Sequence, residues 1–172
     1  MTGQEILNDL GNRGYQEPLL GVRYLPTWPS LDKPLHLALL VIDFDTELAM
    51  NGILGFLENP TGAFLDQTID AFATLGADQT AAVLRRIRKT TIKHAVSHHR
   101  LRAPYQRTSE YQITTFAELH GRSLDDFAAE VCDIADELYI HDRTQPSPFP
   151  LLEAYVEQHA TEMLSEIERA GA

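Results

Sequence analysis

Apolar residues recur along most of this chain at the three- and four-residue spacing of amphipathic helices. The same spacing predicts helices near 35–50, 64–75, 78–103, 111–119, 124–139 and 152–167. The continuous apolar run Leu37–Ile42 also fits a buried strand. Helix is favoured there because no Gly or Pro lies between Pro34 and Gly52. No other segment is typical of a strand, so we expect an all-α fold.

Residues that start and stop helices predict where these elements end. Two pairs, Thr2 with Glu5 and Ser123 with Asp126, have the spacing of a capping box. Further predicted boundaries are a cap at Asp78 and helix ends at Gly11, Gly76, Pro104 and Gly121. We expect a single compact domain of six or seven helices. An N-terminal helix and an irregular Pro-rich arm (1–34) would pack on a helical domain (35–172).

The overall charge excludes several classes of partner. The 172 residues include 25 Asp and Glu against 14 Lys and Arg, giving a formal net charge of −11. So acidic a chain is not expected to bind nucleic acid directly or an anionic membrane surface. The longest apolar run is far too short to span a bilayer, and no signal peptide is recognised at the start. With one cysteine and no internal disulfide, the expected location is the cytoplasm.

The charge is distributed unevenly along the chain. The balance is −8 over residues 1–84, +8 over residues 85–107, and −11 over residues 108–172. We call 85–107 the basic band. Its bases are expected to pair with acids of another helix, to bridge a homodimer or to contact an acidic ligand, and the sequence leaves these three possibilities open.

Carboxylates follow the face of segment 124–139 opposite its apolar residues. Four of them, at i, i+4, i+7 and i+11, are Asp126, Glu130, Asp133 and Glu137. The last predicted helix adds the i, i+4 pair Glu153 and Glu157. One such helix carries charge more sparsely than a DNA strand, which has one phosphate about every 3.4 Å, but two neighbouring helices approach that density. These six residues are the predicted partner-binding site, although a plain solvated surface has the same pattern.

Catalytic and metal-binding signals are sparse. The sequence has no Gly-x-Gly-x-x-Gly, phosphate-loop, Gly-x-Ser-x-Gly or His-Glu-x-x-His motif, so we expect no enzyme and no cofactor. His94, His98 and His99 are the candidates for a metal site, because the first two would share a helix face. They lie among bases that repel a cation and lack further ligands, so no metal is expected. Cys132 is expected to be a small buried residue.

The segment from Glu47 to Asn59 resembles the motif of the DNA-mimic protein C-terminal domain family of bacteria. Glu47, Gly52, Phe56 and Asn59 match that motif in register, while most of its other polar residues are replaced. The resemblance covers about residues 30–163 and implies a mainly helical fold. Physically, Gly52 would end or bend the first long helix, and Asn59 would cap the next one. We therefore interpret the motif as mainly structural.

Three functions compete at this point. The resemblance implies a non-enzymatic DNA mimic, because the family's namesake is a dimer whose surface carboxylates occupy the DNA-binding face of basic regulators or nucleoid proteins. Related small acidic proteins resemble immunity proteins, which suggests an inhibitor of a secreted toxin. A histidine-dependent metalloprotein is the third. In the first two the partner is a basic protein, and a homodimer is compatible with either.

Overall fold

The computed structural model describes residues 2–105 and 115–170. All regular secondary structure in those ranges is helical, which confirms the predicted all-α fold. Seven of the described α-helices have ten or more residues, and two short 3-10 turns, Pro60–Phe64 and Arg122–Leu124, accompany them. The α-helices are α1 (Gly3–Arg13), α2 (Leu19–Val22), α3 (Pro34–Glu58), α4 (Leu65–Thr74), α5 (Asp78–Lys93), α6 (His98–Arg102), α7 (Phe116–His120), α8 (Asp125–Ala135), α9 (Phe149–Gln158) and α10 (Ala160–Ala170).

Helix α3 lies at the centre of the fold. Residues 35–44 are all buried, because this stretch is apolar on every side apart from His36 and Asp43. The helix packs against α4, α6, α8, α9 and α10. Phe44 contacts Phe56 and Phe72 edge-on, with ring centroids 4.9 and 5.3 Å apart. The prediction of helix over Leu37–Ile42 is therefore confirmed.

The N-terminal residues are fixed to this core. Helix α1 begins with the predicted capping box and packs on α9, while α2 contacts α10. Arg23, just after α2, forms a bidentate pair with buried Asp43, with 2.7 Å from Nε to Oδ2. Its Nη1 also donates to the carbonyl oxygens of Gly14 and Leu19. The Pro-rich arm is thus ordered and contains a short helix.

The predicted helix ends at Gly76 and Gly121 are confirmed, and both glycines have a positive φ. Gly76 has φ 77° and ends the turn between α4 and α5, where the Ala77 amide donates to the carbonyl of Phe72. Gly121 has φ 68° and ends α7. The first part of the predicted helix 111–119 lies outside the described residues, and its described part begins with a capping box between Thr115 and Glu118.

Three predicted boundaries in the N-terminal half are wrong. Helix α1 continues past Gly11 to Arg13. Asp78 is the first residue of α5 and makes no capping hydrogen bond. Its carboxylate instead lies in the first turn, where its negative charge interacts favourably with the positive end of the helix dipole. Helix α5 ends at Lys93 rather than near Pro104, because the chain turns at Ala95 (φ 52°) before α6 begins.

The predictions for the C-terminal half also need correction. Ser123 does not cap α8, because its hydroxyl donates to the carbonyl of His120. Helix α8 ends at Ala135, four residues before the predicted end. The predicted last helix is two helices, α9 and α10, which meet at His159. No helix within the described ranges is long and apolar enough to cross a membrane.

Candidate protein-binding site

Helix α8 carries most of the predicted acidic stripe. Its apolar residues Phe127, Val131 and Ala135 are buried against α5 and α3, which turns the opposite face to solvent. After α8 ends at Ala135, Leu138 is buried and the Tyr139 hydroxyl donates to Asp45 Oδ1 of α3 at 2.7 Å. These contacts hold the segment that follows α8 against the central helix.

Glu130 is not a free carboxylate. It accepts hydrogen bonds from Lys93 Nζ at 2.7 Å and from Thr90 Oγ1 at 3.2 Å, and its Oε2 lies 2.9 Å from His94 Nε2. These contacts, above all the one from Lys93, lower the pKa of Glu130 to about 2. Glu130 therefore fastens α8 to the end of α5 and is charged at all ordinary pH values.

Glu137 is also occupied, and it lies beyond the end of α8. Its Oε2 accepts a hydrogen bond from Arg86 Nη1 of α5, which raises the pKa of Arg86. Both side chains are about half exposed, with 48% for Arg86 and 49% for Glu137, so the pair contributes little to stability. Two of the four stripe residues thus bind α5 of the same molecule.

Asp126 and Asp133 make up the remaining half of the stripe. Both are exposed, and neither forms an ion pair or side-chain hydrogen bond within the described residues. Asp125 and Asp136, beside them, are exposed and equally without such partners in these ranges. We call these four residues the free acidic face.

Glu153 and Glu157 lie on α9, whose main neighbour is α1 rather than α8. A side chain added at Gly3 would lie 2.5 Å from the Glu153 carbonyl oxygen and 3.1 Å from Glu157 Cβ, so α1 packs very closely here. Glu153 is half-buried at this contact, and Glu157 is exposed. The predicted six-residue site is thus divided between two helices that pack against different parts of the fold.

Three of the eight bases of the basic band form ion pairs within the molecule. Arg86 and Lys93 bind the carboxylates described above, and Arg88 forms a bidentate pair with Asp66 of α4, at 2.6 and 3.2 Å. Arg102 donates to the carbonyl oxygen of Glu58. Of the three possibilities that the sequence left open, pairing with acids of other helices is realised for Arg88 and Lys93, and Arg86 pairs with an acid just after α8.

Residues of the predicted family motif form hydrogen bonds across a break in α3 at Gly52. We call this arrangement of Glu47, Asn51 and Asn59 the tie. Gly52 has φ 68° and ψ −177°, which only glycine adopts readily, so the helix bends there as predicted. Glu47 Oε2, before the bend, accepts from Asn51 Nδ2 at 2.8 Å and from Asn59 Nδ2 at 2.6 Å. Asn59 therefore does not cap the next element as predicted, because its side chain binds Glu47. Phe56, 1% exposed, contributes to the core.

This motif and the comparison with family models agree. The model described as DMP19-like protein matches residues 29–159, well over half of the chain. The chain belongs to the DMP19-like protein family. No curated protein and no solved structure matches it. The match agrees with the resemblance to a DNA-mimic family. The matched residues include those of the free acidic face and those of the tie around Gly52.

The candidate histidines of this family member do not share a helix face. His94 follows the end of α5, whereas His98 and His99 begin α6. His94 contacts Glu130, and His98 Nδ1 lies 3.1 Å from the carbonyl oxygen of Leu57. No cluster of three metal-ligating side chains occurs within residues 2–105 and 115–170. The prediction that His94 and His98 share a helix face, on which the candidate metal site depended, is therefore wrong.

Cys132 also differs from its prediction. Its side chain is exposed on α8 rather than buried. Local desolvation and the nearby Asp136 and Asp133 raise the pKa of its thiol, which disfavours the reactive thiolate.

Two buried clusters of titratable side chains were not predicted from the sequence. Glu58 accepts from Tyr105 Oη at 3.1 Å, and its Oε1 lies 2.5 Å from His120 Nε2, 62 residues further along the chain. The other cluster is the pair of Arg23 and Asp43. One local signal existed for Asp43, because a charge within an apolar run requires a buried partner. Nothing local indicates that Glu58 and His120 meet.

Proposed function

We propose that this member of the DMP19-like family is a non-enzymatic module that binds a basic protein in place of DNA. The free acidic face carries the proposal, because Asp125, Asp126, Asp133 and Asp136 lie together and exposed on α8 and the turn after it. The pairs that α5 makes with Glu130 and Glu137 hold this face to the rest of the molecule.

The spacing of these carboxylates supports a phosphate-like pattern. Seven helical residues separate Asp126 from Asp133, a rise of about 10 Å. Three phosphate steps along one DNA strand also cover about 10 Å. Basic side chains that normally contact phosphates three steps apart would therefore find carboxylates at the same interval. Long-range attraction would speed association and make it strongly dependent on salt.

A pull-down from nuclease-treated lysate tests this function. The bait is the wild-type chain, washed from about 0.1 to 1 M salt, over which the screening length falls from roughly 10 to 3 Å. We expect basic nucleic-acid-binding proteins to be captured and then released at intermediate salt. Added duplex DNA should displace them.

Two triple variants locate the site. Asp126→Asn, Asp133→Asn and Asp136→Asn together should abolish capture. The matched control neutralises three exposed acids elsewhere, Asp32→Asn, Asp70→Asn and Glu168→Gln, and should retain it. Equal loss in both variants would show that only net charge matters. A single partner that survives the highest salt would favour the toxin inhibitor instead.

A further inference from the structure

An open groove lies where α4, α5 and α6 meet the end of α3. Its volume is about 440 Å³, which is within the range of ligand-binding pockets. Large aliphatic side chains are prominent in its lining, namely Leu57, Leu65, Ile92, Val96 and Leu101. We call it the α5–α6 groove.

Ile92 lies in this groove and is turned to solvent. Its exposed fraction is 65%, whereas Val96 and Leu101, which line the same groove, are buried. Single exposed apolar residues are common on protein surfaces. Ile92 differs because the groove beside it continues the apolar surface. An apolar side chain of another molecule that covers Ile92 would therefore also fill the groove and remove both from water.

Bases without partners flank the groove on two helices. Lys89 and Arg85 precede Ile92 by three and seven residues, so they lie on the same side of α5. Arg100 lies on α6, which also lines the groove. All three bases are exposed, and their side chains form no ion pair or hydrogen bond within residues 2–105 and 115–170. The flanks are therefore positively charged in a chain whose net charge is −11.

The groove itself adds little charge to that of its flanks. Arg88 and Asp66 both line it and neutralise each other through their bidentate pair. His98 also lines it, and burial lowers the pKa of this side chain below 6.5, so it is neutral at pH 7. The exposed Asp70 lies one turn from Asp66 on α4, and the three flanking bases outnumber it.

We propose that the α5–α6 groove docks an acidic peptide segment of a partner protein, anchored by an aliphatic side chain. The anchor lies against Ile92, and the carboxylates bind the flanking bases. Lys89 and Arg85 lie about 5 and 10 Å from Ile92 along the helix, distances that an extended peptide covers in two to three residues. This spread fits a peptide better than a small anion. The groove is separate from the free acidic face on α8, so the proposal does not depend on the proposed function.

Titration of the full chain with three capped hexapeptides, followed by NMR, tests the proposal. The first peptide is Glu-Glu-Leu-Leu-Glu-Glu, the second replaces both leucines with serine, and the third replaces every glutamate with lysine. We expect saturable shifts centred on α5 and α6 for the first, weakened as salt rises from about 0.1 to 1 M. The second should bind about threefold to tenfold more weakly, and the third should not shift the groove.

The variant Ile92→Ser tests the apolar anchor, and Met50→Ser is its matched control. Met50 is 75% exposed on α3 and does not line the groove. Ile92→Ser should weaken binding of the leucine-containing acidic peptide about threefold to tenfold, and Met50→Ser should leave it unchanged. Both residues are exposed, so the fold is retained in each variant.

A second pair of variants tests the charges. Arg85→Gln with Lys89→Gln should weaken binding of the acidic peptide and reduce its salt dependence. The control neutralises two exposed bases elsewhere, Arg122→Gln with Arg143→Gln, and should retain both.

Three results would overturn the proposal. The first is that the leucine-containing acidic peptide gives no saturable shifts, or shifts centred away from α5 and α6. The second is equal binding of the serine peptide, or equal weakening by a groove variant and its control. The third is a concentration-dependent dimer of the chain alone, seen by sedimentation and abolished by Ile92→Ser, because a second copy would then occupy the groove.

Discussion

Individual carboxylates of α8 differ in whether they are available to a partner. Glu130 and Glu137 are held by bases of α5, whereas Asp126 and Asp133 face solvent without partners among the described residues. All four have the same chemistry and lie on one predicted stripe. The difference arises because α5 runs beside part of α8, so tertiary packing selects which charges the molecule presents.

The Glu130 cluster predicts a pH-dependent contribution to stability. Its folded-state pKa is lowered from 4.5 to about 2, so the stabilisation is complete above pH 4.5 and is lost as the pH falls towards 2. Glu130→Gln should therefore be less stable than the wild type at neutral pH, and the difference should shrink over that range. Urea unfolding of both proteins at several pH values measures this. A difference that does not change with pH would contradict the assignment.

His36 predicts a second dependence, at higher pH. Its side chain is buried beside Trp28 and its Nδ1 accepts from the Ser30 amide at 3.1 Å. Desolvation, together with the charge of Lys33, lowers its pKa to about 4. The unfolded chain takes up this proton near pH 6.5 and the folded chain does so only near pH 4. Stability from neutral His36 is therefore complete above pH 6.5 and is lost as the pH falls to 4.

The variant His36→Asn isolates this effect. Asparagine keeps a hydrogen-bond acceptor and does not titrate. Between pH 6.5 and 4 the wild type should lose more unfolding free energy than the variant, by at most about 1.4 kcal/mol per pH unit. Chemical denaturation across this range provides the measurement. Parallel pH profiles would show that His36 is protonated equally in the folded and unfolded states.

At the scale of secondary structure, the bend in α3 depends on one glycine. Gly52→Ala should reduce the free energy of unfolding by about 1–3 kcal/mol, because alanine is strained at φ 68° and ψ −177°. Gly11 provides the matched control, since it is exposed within α1 and an added Cβ would contact nothing within 4 Å. Gly11→Ala should therefore stabilise the protein by about 0.5–1 kcal/mol. Urea unfolding distinguishes these opposite signs, and equal effects would contradict this explanation of the bend.

Helices with strong local signals were predictable from the sequence, and several of their ends were not. The capping box at Thr2 and the helix ends at Gly76 and Gly121 depend on neighbouring residues only, and each prediction is confirmed. The end of α5 depends on a turn at Ala95 (φ 52°), which no glycine or proline marks in the sequence. The segment after α8 is held by the hydrogen bond of Tyr139 to Asp45, 94 residues away in sequence. No local pattern contains that information.

The candidate site was predictable only in part, for the same reason. Periodicity correctly placed Asp126 and Asp133 on the exposed side of a helix. It did not indicate that Glu130 and Glu137 bind α5, nor that α9 packs mainly on α1. It also grouped His94 with His98, because a helix was expected to continue through a turn at Ala95.

At the scale of the whole molecule, three of the eight bases of the basic band are paired with acids of the same molecule. Arg86, Arg88 and Lys93 each pair with an acid of another element. The formal net charge of the chain is −11, and the exposed carboxylates of the free acidic face contribute to it. This arrangement supports a function in which the acidic surface meets a basic partner, and the tie between Glu47 and Asn59 supports the fold that carries it.

Competition between the protein and DNA for one partner tests the central proposal most directly. With a basic partner from the pull-down purified, its affinity for the wild type and for the variant Asp126→Asn, Asp133→Asn, Asp136→Asn is measured across a salt series, with and without duplex DNA. We predict mutually exclusive binding of protein and DNA, steep salt dependence, and at least about tenfold weaker binding by the variant. Simultaneous binding of both, or unchanged affinity of the variant, would contradict DNA mimicry by the free acidic face.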